Sequence, residues 1–313
     1  MSNARRPTVS VGMPVYNGER YLEEALQSIL TQTFDDFELV ISDNASTDRT
    51  GEICRAHAEK DERIQYLSME QNMGPIENFN NVFRLSTGRY FKWAAADDIC
   101  GRDYLRQAVE VLDGEPTVVL AWARTTGIGE HGEPVALPNE VSDLNSAVSV
   151  YSPDPVVRFR RLLRNMWWVD GPLYGVIRSD TLARTRWIHP PHVSGDQILL
   201  TELSLLGRFY ELPSEAFYSR VHPHKTSTQA RTLRDRAALV DRRVPGPGPA
   251  GWWRLLRGYP QRLAMYTTII WTSDISVTEK LSCQAEVART VASWAWLRAR
   301  QVASGASAWR SAE

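Results

Sequence analysis

Arg89-Tyr90-Phe91-Lys92-Trp93-Ala94-Ala95-Ala96-Asp97-Asp98 joins an apolar run to two adjacent carboxylates. Tyr90 to Ala94 reads as a buried strand, and Asp97-Asp98 as the loop leaving its carboxyl end. In open α/β sheets that edge is where ligands bind. Neighbouring carboxylates repel each other and lose hydration on burial unless a cation or hydrogen-bond donors satisfy them. The pair therefore reads as a hard-metal site shared with phosphate oxygens. The alternative is an Asp-rich turn capping a helix that begins near Arg102.

The preceding sequence is regular. Thr8 to Tyr16 alternates Val9, Val11, Met13 and Val15 with smaller residues, a strand pattern broken by Asn17-Gly18. Beyond Glu19, the residues Tyr21, Leu22, Ala25, Leu26, Ile29 and Leu30 share one helical face that ends near Thr33. Phe37 to Ser42 predicts a second strand, and Asp43 to Asp48 a polar turn into a helix reaching about Lys60, with Ser46 or Thr47 as N-cap. Arg63 to Leu67 predicts a third strand, and Ile76 to Leu85 a helix closed by Gly88. Three successive β-α units demand a parallel sheet with right-handed crossovers, a nucleotide-binding half of Rossmann type.

Past the carboxylate pair the regularity weakens. Helices are expected over 102–112, 153–165, 180–187 and 198–206, strands over 118–123, 174–178 and within 209–218, a hairpin over 127–138 and a loop over 189–194. Pro245-Gly246-Pro247-Gly248-Pro249 reads as a stiff linker ahead of two helices at 260–274 and 278–303. Six of the eleven tryptophans lie from Trp252 onward. Amphipathic Trp/Arg helices suit a core or dimer face, and also a membrane surface.

The 313 residues can bury one large core, or one core plus a small appendage. The formal charge of −1 hides an asymmetry: residues 1–219 carry 21 Lys/Arg against 31 Asp/Glu, and residues 220–313 carry 15 against 6. Such a basic segment finds an acidic partner, anionic lipid or the chain's own acidic body. Cys54, Cys100 and Cys283 stand far apart and suggest neither a zinc site nor a disulfide framework. With no apolar core behind Arg5-Arg6 and no long apolar window, the expectation is a cytoplasmic protein, at most peripheral at the inner membrane face.

Three strings, Val11 to Leu22 (VGMPVYNGERYL), Phe37 to Asp48 (FELVISDNASTD) and Gly88 to Asp98 (GRYFKWAAADD), resemble in order and spacing the family 2 glycosyltransferases. The resemblance is strong over the first hundred residues and looser to about residue 228; no family motif follows residue 230. It implies an α/β GT-A fold, with a Rossmann-like nucleotide-binding half, a mostly parallel central sheet and a helical C-terminal extension. Residues 1–230 would form the glycosyltransferase domain, 1–100 holding the nucleotide sugar and 101–230 the acceptor and catalytic half, with 231–313 as the extension. It also implies a nucleotide-diphosphate sugar donor, here a UDP-sugar, with Mn2+ or Mg2+ as cofactor, inversion at the anomeric carbon, and no nucleic-acid partner.

Carried across residue by residue, Pro14 and Tyr16 would line the base and ribose pocket, and Glu19 would shape that loop. Asp43 would accept from a uracil-type base edge, Asp97 would hold the ribose or a water on the metal, and Asp98 would ligate the metal. Where relatives carry further acids this chain has Asn44 and Ala95. In Ser194-Gly195-Asp196-Gln197, Asp196 matches the family base; read alone it is a helix N-cap. Arg220-Val221-His222-Pro223-His224-Lys225 resembles the segment that closes such sites, one imidazole, His222 preferred over His224, completing the metal shell or touching the diphosphate that Lys225 would neutralise; the alternative is a solvated basic turn.

Trp168 and Asp170 are the acceptor candidates, because aromatic faces suit sugar rings; the alternative is a pair of core tryptophans. The acceptor is expected to be a carbohydrate, a lipid-linked sugar or a small molecule, and the C-terminal helices a route to a homo-oligomer. A dinucleotide enzyme is disfavoured because Tyr16-Asn17-Gly18-Glu19 stands where GxGxxG belongs. A glycosidase needs no nucleotide pocket. A non-catalytic nucleotide-binding or assembly module stays open as the alternative.

Overall fold

A computed structural model describes residues 6–137, 150–165, 171–188, 195–223, 225 and 249–310. The first half follows the expected alternation: β1 (Val9–Val15), α1 (Leu22–Leu30), β2 (Phe37–Asp43), α2 (Thr50–Ala58), β3 (Ile64–Ser68), α3 (Pro75–Leu85) and β4 (Tyr90–Trp93). β3, β2, β1 and β4 pair in parallel in that spatial order. β1, β2 and β4 are buried on both faces because helices cover both, while the edge strand β3 is largely exposed. Val9, Val11 and Met13 face α1 together with α4 (Tyr104–Gly114), while Phe91 and Trp93 face α3 and α7 (Gly195–Leu206). Gly88 permits the chain to enter β4: a Cβ there would lie 2.5 Å from the Ser10 nitrogen.

The second half completes one eight-stranded sheet, ordered β3-β2-β1-β4-β7-β6-β8-β5. β5 is Ile99–Cys100, β6 Val118–Ile128, β7 Val176–Arg178 and β8 Arg208–Arg220. Only β7 and β5 run against the others. β6 extends past the expected end and turns through the predicted hairpin, where Gly129 donates to the Glu133 carbonyl and Val135 to that of Gly127. Phe209 to Tyr218 lies within one long strand, not several, because β8 stays beside β6 through register shifts near Ala123 and Arg124. β5 was not foreseen, since two residues carry no periodicity; it exists by pairing with Phe217 and Tyr218.

Three helix starts differ from expectation, the largest difference being the helix expected from residue 260, which begins at Pro249. α2 takes neither Ser46 nor Thr47 as cap. Asp48 Oδ1 accepts the Thr50 N–H instead, because Ser46 and Thr47 are drawn across to Asn17. α7 begins at Gly195, three residues early, so Asp196 lies in its first turn. The short helix α6 (Ser179–Ala183) precedes it, and α5 (Pro155–Asn165) packs beside it. The expected loop at 189–194 lies outside the described residues, as does most of the Pro-Gly linker.

α8 (Pro249–Thr272) and α9 (Val277–Arg310) form the expected helical hairpin. A capping box starts α9: Ser276 Oγ accepts the Glu279 N–H, and Glu279 Oε2 accepts the Ser276 N–H. Tyr266, Ile269, Ile270, Cys283 and Val287 join Phe159 of α5 and Ile198 of α7 in a third apolar cluster. Among the described residues no helix is long and apolar enough to cross a membrane. All three cysteines are buried thiols, without disulfides.

Glu286 anchors the hairpin. Its side chain is 2% exposed and accepts from Arg160 at 2.8 Å, Arg164 at 2.9 Å and Arg289. Burial opposes its ionisation, but the three guanidinium charges outweigh that and hold the carboxyl below its ordinary value. A depressed folded pKa gives stability that is present above the unfolded value, about 4.3, and lost as pH falls through the folded value. Glu286→Gln should therefore cost roughly 1–3 kcal/mol at neutral pH, with the gap to wild type closing as pH drops below about 4. Urea midpoints over that pH range test this; a gap that stays constant contradicts it.

Candidate active site

Strand register sets the site. Val15 lies opposite Asp43, and Gly12 opposite Trp93 with its carbonyl accepting the Ala94 N–H, so β1, β2 and β4 all end along one edge of the sheet. The loops after β1 and β2 are laced together. Asn17 Oδ1 accepts the Thr47 N–H at 2.8 Å, Thr50 Oγ1 accepts the Gly18 N–H at 2.9 Å, and Glu19 Oε2 accepts the Arg49 N–H at 2.8 Å. Two non-glycine residues here have left-handed backbones, Asn17 with φ 50° and Ala45 with φ 59°. Asparagine tolerates that region, whereas alanine loses roughly 1–2 kcal/mol, so the lacing must hold Ala45 in place.

Pro14 is half-buried near the end of β1, opposite Ser42. Tyr16 follows, 41% exposed, its ring free to offer a face at the sheet edge. Asp43 ends β2 almost fully buried: Oδ1 accepts the Ser46 N–H and Oδ2 the Tyr66 hydroxyl, each at 2.9 Å. Each carboxylate oxygen keeps further acceptor capacity. Asn44 uses its amide to fix the next loop, donating to Asn72 Oδ1 and the Gly74 carbonyl and accepting the Met73 N–H.

The carboxylate pair lies beyond β4, where residues from the end of β8 converge on it. Asp98, 2% exposed, accepts on Oδ1 both the Arg220 N–H at 2.9 Å and the Lys225 ammonium at 2.8 Å. Asp97, 25% exposed, places Oδ2 2.9 Å from His222 Nε2. Burial works against the ionised form of Asp97, but the His222 hydrogen bond and the Lys225 charge overcome it and keep the carboxyl low. Asp98 is the deeper group. Burial, reinforced by the charge of Asp97 and opposed by Lys225, pushes it up to about 6.

Arg220, fully buried, is the clamp of this region. Its Nε donates to the Asp97 carbonyl, Nη1 to the carbonyls of Gly129 and Glu130, and Nη2 to Glu24 on α1, with the Tyr21 ring 4.7 Å below. Lys92, also fully buried, sits behind the pair on β4. Its ammonium donates to the Trp93 and Tyr174 carbonyls over the rings of Tyr104 and Phe217, and burial lowers its pKa. Sequence reasoning gave neither residue a role. The signal for Lys92 was a cation within an aromatic strand; for Arg220 it was an arginine closing a strand.

The structure thus joins Asp97, Asp98, His222 and Lys225 by direct contact, and Tyr16, Glu19 and Asp43 through the two laced loops. His222 addresses Asp97, while Lys225 addresses Asp98. Asp196, on the separate element α7, accepts the Gln197 N–H on Oδ1 at 2.8 Å. Trp168, Asp170 and His224 lie outside the described residues. No cluster of three or more His, Cys, Asp or Glu is arranged around a metal position among the described residues. The donor chemistry nevertheless fits a divalent cation: two carboxylates, and an imidazole whose buried Nδ1 has no partner. Asp98 is raised chiefly because burial strips its carboxylate of water, a loss that a bound cation would offset.

A family model described as Glycosyl transferase family 2 matches residues 10–160. An uncharacterized glycosyltransferase of Haemophilus influenzae is 33% identical over 231 residues, covering 71% of this chain and 68% of its own length. The chain belongs to glycosyl transferase family 2. Glycosyltransferase GlyA of Streptococcus pneumoniae is 39% identical over 97 residues, 31% of this chain; the match spans 14% of that longer protein. The fold is GT-A. The enzyme superimposes on S. aureus TarS in complex with UDP-GlcNAc with TM-score 0.63 at 20% identity, covering 90% of this chain and 72% of that one. With the mannosyltransferase PcManGT of Pyrobaculum calidifontis, in complex with GDP-Man and Mn2+, the TM-score is 0.54 at 21% identity, covering 97% and 81%.

Arg220→Met should cost the glycosyltransferase about 3–5 kcal/mol, since buried acceptors and the Glu24 carboxylate lose their partner. Arg220→Lys should recover only part, because one ammonium cannot span the same acceptors. Chemical denaturation of both variants checks this; equal stability of the Lys variant and wild type contradicts it.

Proposed function

We propose that the enzyme moves a sugar from a nucleoside diphosphate donor, a UDP-sugar, to an acceptor hydroxyl with inversion at the anomeric carbon. The observation that carries this reading is the Asp97-Asp98 pair at the carboxyl edge of a parallel sheet, ringed by Lys225, His222 and Arg220. The TarS and PcManGT complexes, which hold UDP-GlcNAc and GDP-Man with Mn2+, support a nucleotide-sugar donor and a divalent ion.

In this reading Tyr16 stacks on the base beside Pro14, Asp43 accepts from its imide edge, and Glu19 keeps the loop in shape. Asp97 receives the ribose hydroxyls. Mn2+ or Mg2+ held by Asp98 and His222 would offset the charge that builds on the departing diphosphate. Lys225 adds a second positive charge to the same end.

Asp196 removes the acceptor proton as the oxygen attacks the face opposite the diphosphate, and a single displacement inverts the centre. Chain direction supports this assignment. α7 ends at Leu206, and Gly207 leads straight into β8 where the strands begin, Arg208 donating to the Thr117 carbonyl. A twelve-residue helix is about 18 Å long, long enough to reach back along the strands, which is compatible with an Asp196 end near the edge that Asp97 and Asp98 leave. The acceptor is a carbohydrate, a lipid-linked sugar or a small molecule, with Trp168 and Asp170 as its contacts.

Asp196→Asn should keep UDP affinity while turnover falls by about 10²–10⁴; near-normal turnover rejects the base. Asp98→Ala should abolish the gain in UDP affinity that Mn2+ gives the wild type by calorimetry. An undiminished gain rejects the ligand assignment.

A further inference from the structure

We propose that Arg262 is a positioning residue for the transfer, fixing from the C-terminal hairpin the helical turn that carries Asp196. Arg262 Nη2 donates to Gln197 Oε1 at 2.7 Å. Its Nε and Nη2 also donate to the Tyr266 hydroxyl, at 3.0 and 2.9 Å. Tyr266 is 1% exposed and meets Phe159 of α5 edge to face, so the guanidinium is held from behind by a ring that cannot move far. Gln197 is 7% exposed, and its backbone N–H in turn bonds Asp196 Oδ1. The hairpin core, through Arg262, thus holds the side chain of the residue whose backbone N–H bonds the proposed base.

The first turn of a helix has N–H groups without intrahelical partners and is its least constrained part. The orientation of the Asp196 carboxylate therefore depends on what grips the turn from the side. The grip comes from α8: Ile198 packs with Ile269 and Ile270, Arg262 fixes the Gln197 side chain, and Arg186, bound to Glu202 of α7, reaches Thr272 at 3.0 Å. The segment that carries no family motif supplies the side support for the carboxylate that must meet the acceptor. Small displacements matter at such a group, since about 1 Å of misplacement can cost 10²-fold in rate.

The inference rests on Asp196 being the base. Arg262→Met, Arg262→Lys and Glu286→Gln are compared with wild type for release of UDP from UDP-GlcNAc with Mn2+, or of GDP from GDP-Man should the wild type use that donor, and for nucleotide affinity by calorimetry. Glu286→Gln loosens the same hairpin at α5 without touching Gln197, and serves as the structural control. Expected are a fall in kcat of about tenfold or more for Arg262→Met, unchanged nucleotide affinity, partial recovery in Arg262→Lys, and kcat near wild type for Glu286→Gln at an equal loss of thermal stability. A kcat for Arg262→Met within twofold of wild type overturns the proposal, as does a loss that Glu286→Gln reproduces. If Arg262→Met is normal while Asp196→Asn is inactive, only the positioning role fails. If Asp196→Asn is itself active, the base assignment fails and takes this inference with it.

Discussion

Two adjacent carboxylates can be buried at the end of β4 only because the chain brings hydrogen-bond donors back to them from far along its length: the Arg220 backbone N–H, the Lys225 ammonium and the His222 ring. Asp98 is held by Arg220 and Lys225, 122 and 127 residues away, and Asp97 by His222, 125 residues away. Without those partners the pair would carry the cost of desolvation and of mutual repulsion together. That requirement orders much of the second half of the fold. β8 must end beside the carboxylates, so it runs the length of β6, and its last residue must be an arginine able to reach α1, the β6 hairpin and the Asp97 carbonyl at once.

The neutralisation is unequal, and the inequality has chemical content. Asp97, partly exposed and bonded to an imidazole, stays readily ionised; Asp98, sealed in, is pushed up toward 6 although an ammonium touches it. Lost hydration is the larger cause at Asp98, so a further cation would return to its carboxylate what burial removed. Beneath it, the buried Lys92 amine donates to two carbonyls over aromatic rings and stiffens the floor of the site. The opposite wall, the laced loops after β1 and β2, holds Asn17 and Ala45 in backbone conformations that isolated residues avoid. Both walls are pre-formed by the chain itself.

The charge asymmetry of the sequence suggested a basic C-terminal segment seeking an acidic surface. Among the described residues its first part does meet the chain's own acids, Arg220 with Glu24 and Lys225 with Asp98, whereas in the hairpin a buried acid, Glu286, gathers arginines of α5 and Arg262 turns to a neutral amide. The hairpin joins α5 and α7 through a shared apolar cluster.

Much of the first half was legible in the sequence. Period-two and period-3.6 patterns located β1 to β4 and α1 to α3 within a few residues, and three β-α units left parallel pairing as the only short solution. The position of Asp43 and Asp97-Asp98 at strand ends followed from the same patterns, since the end of a strand is a local property. Hidden from the sequence were β5, the single long β8, the capping of α2 by Asp48, and the parts taken by Arg220, Lys92 and Arg262. Each depends on partners dozens to more than a hundred residues away, and a charged side chain read in one dimension looks the same whether it faces water or a buried carbonyl. Local periodicity determined where this chain turns and which faces it hides; only tertiary packing decided which cation meets which carboxylate, because that is a matter of desolvation and reach rather than of order along the chain.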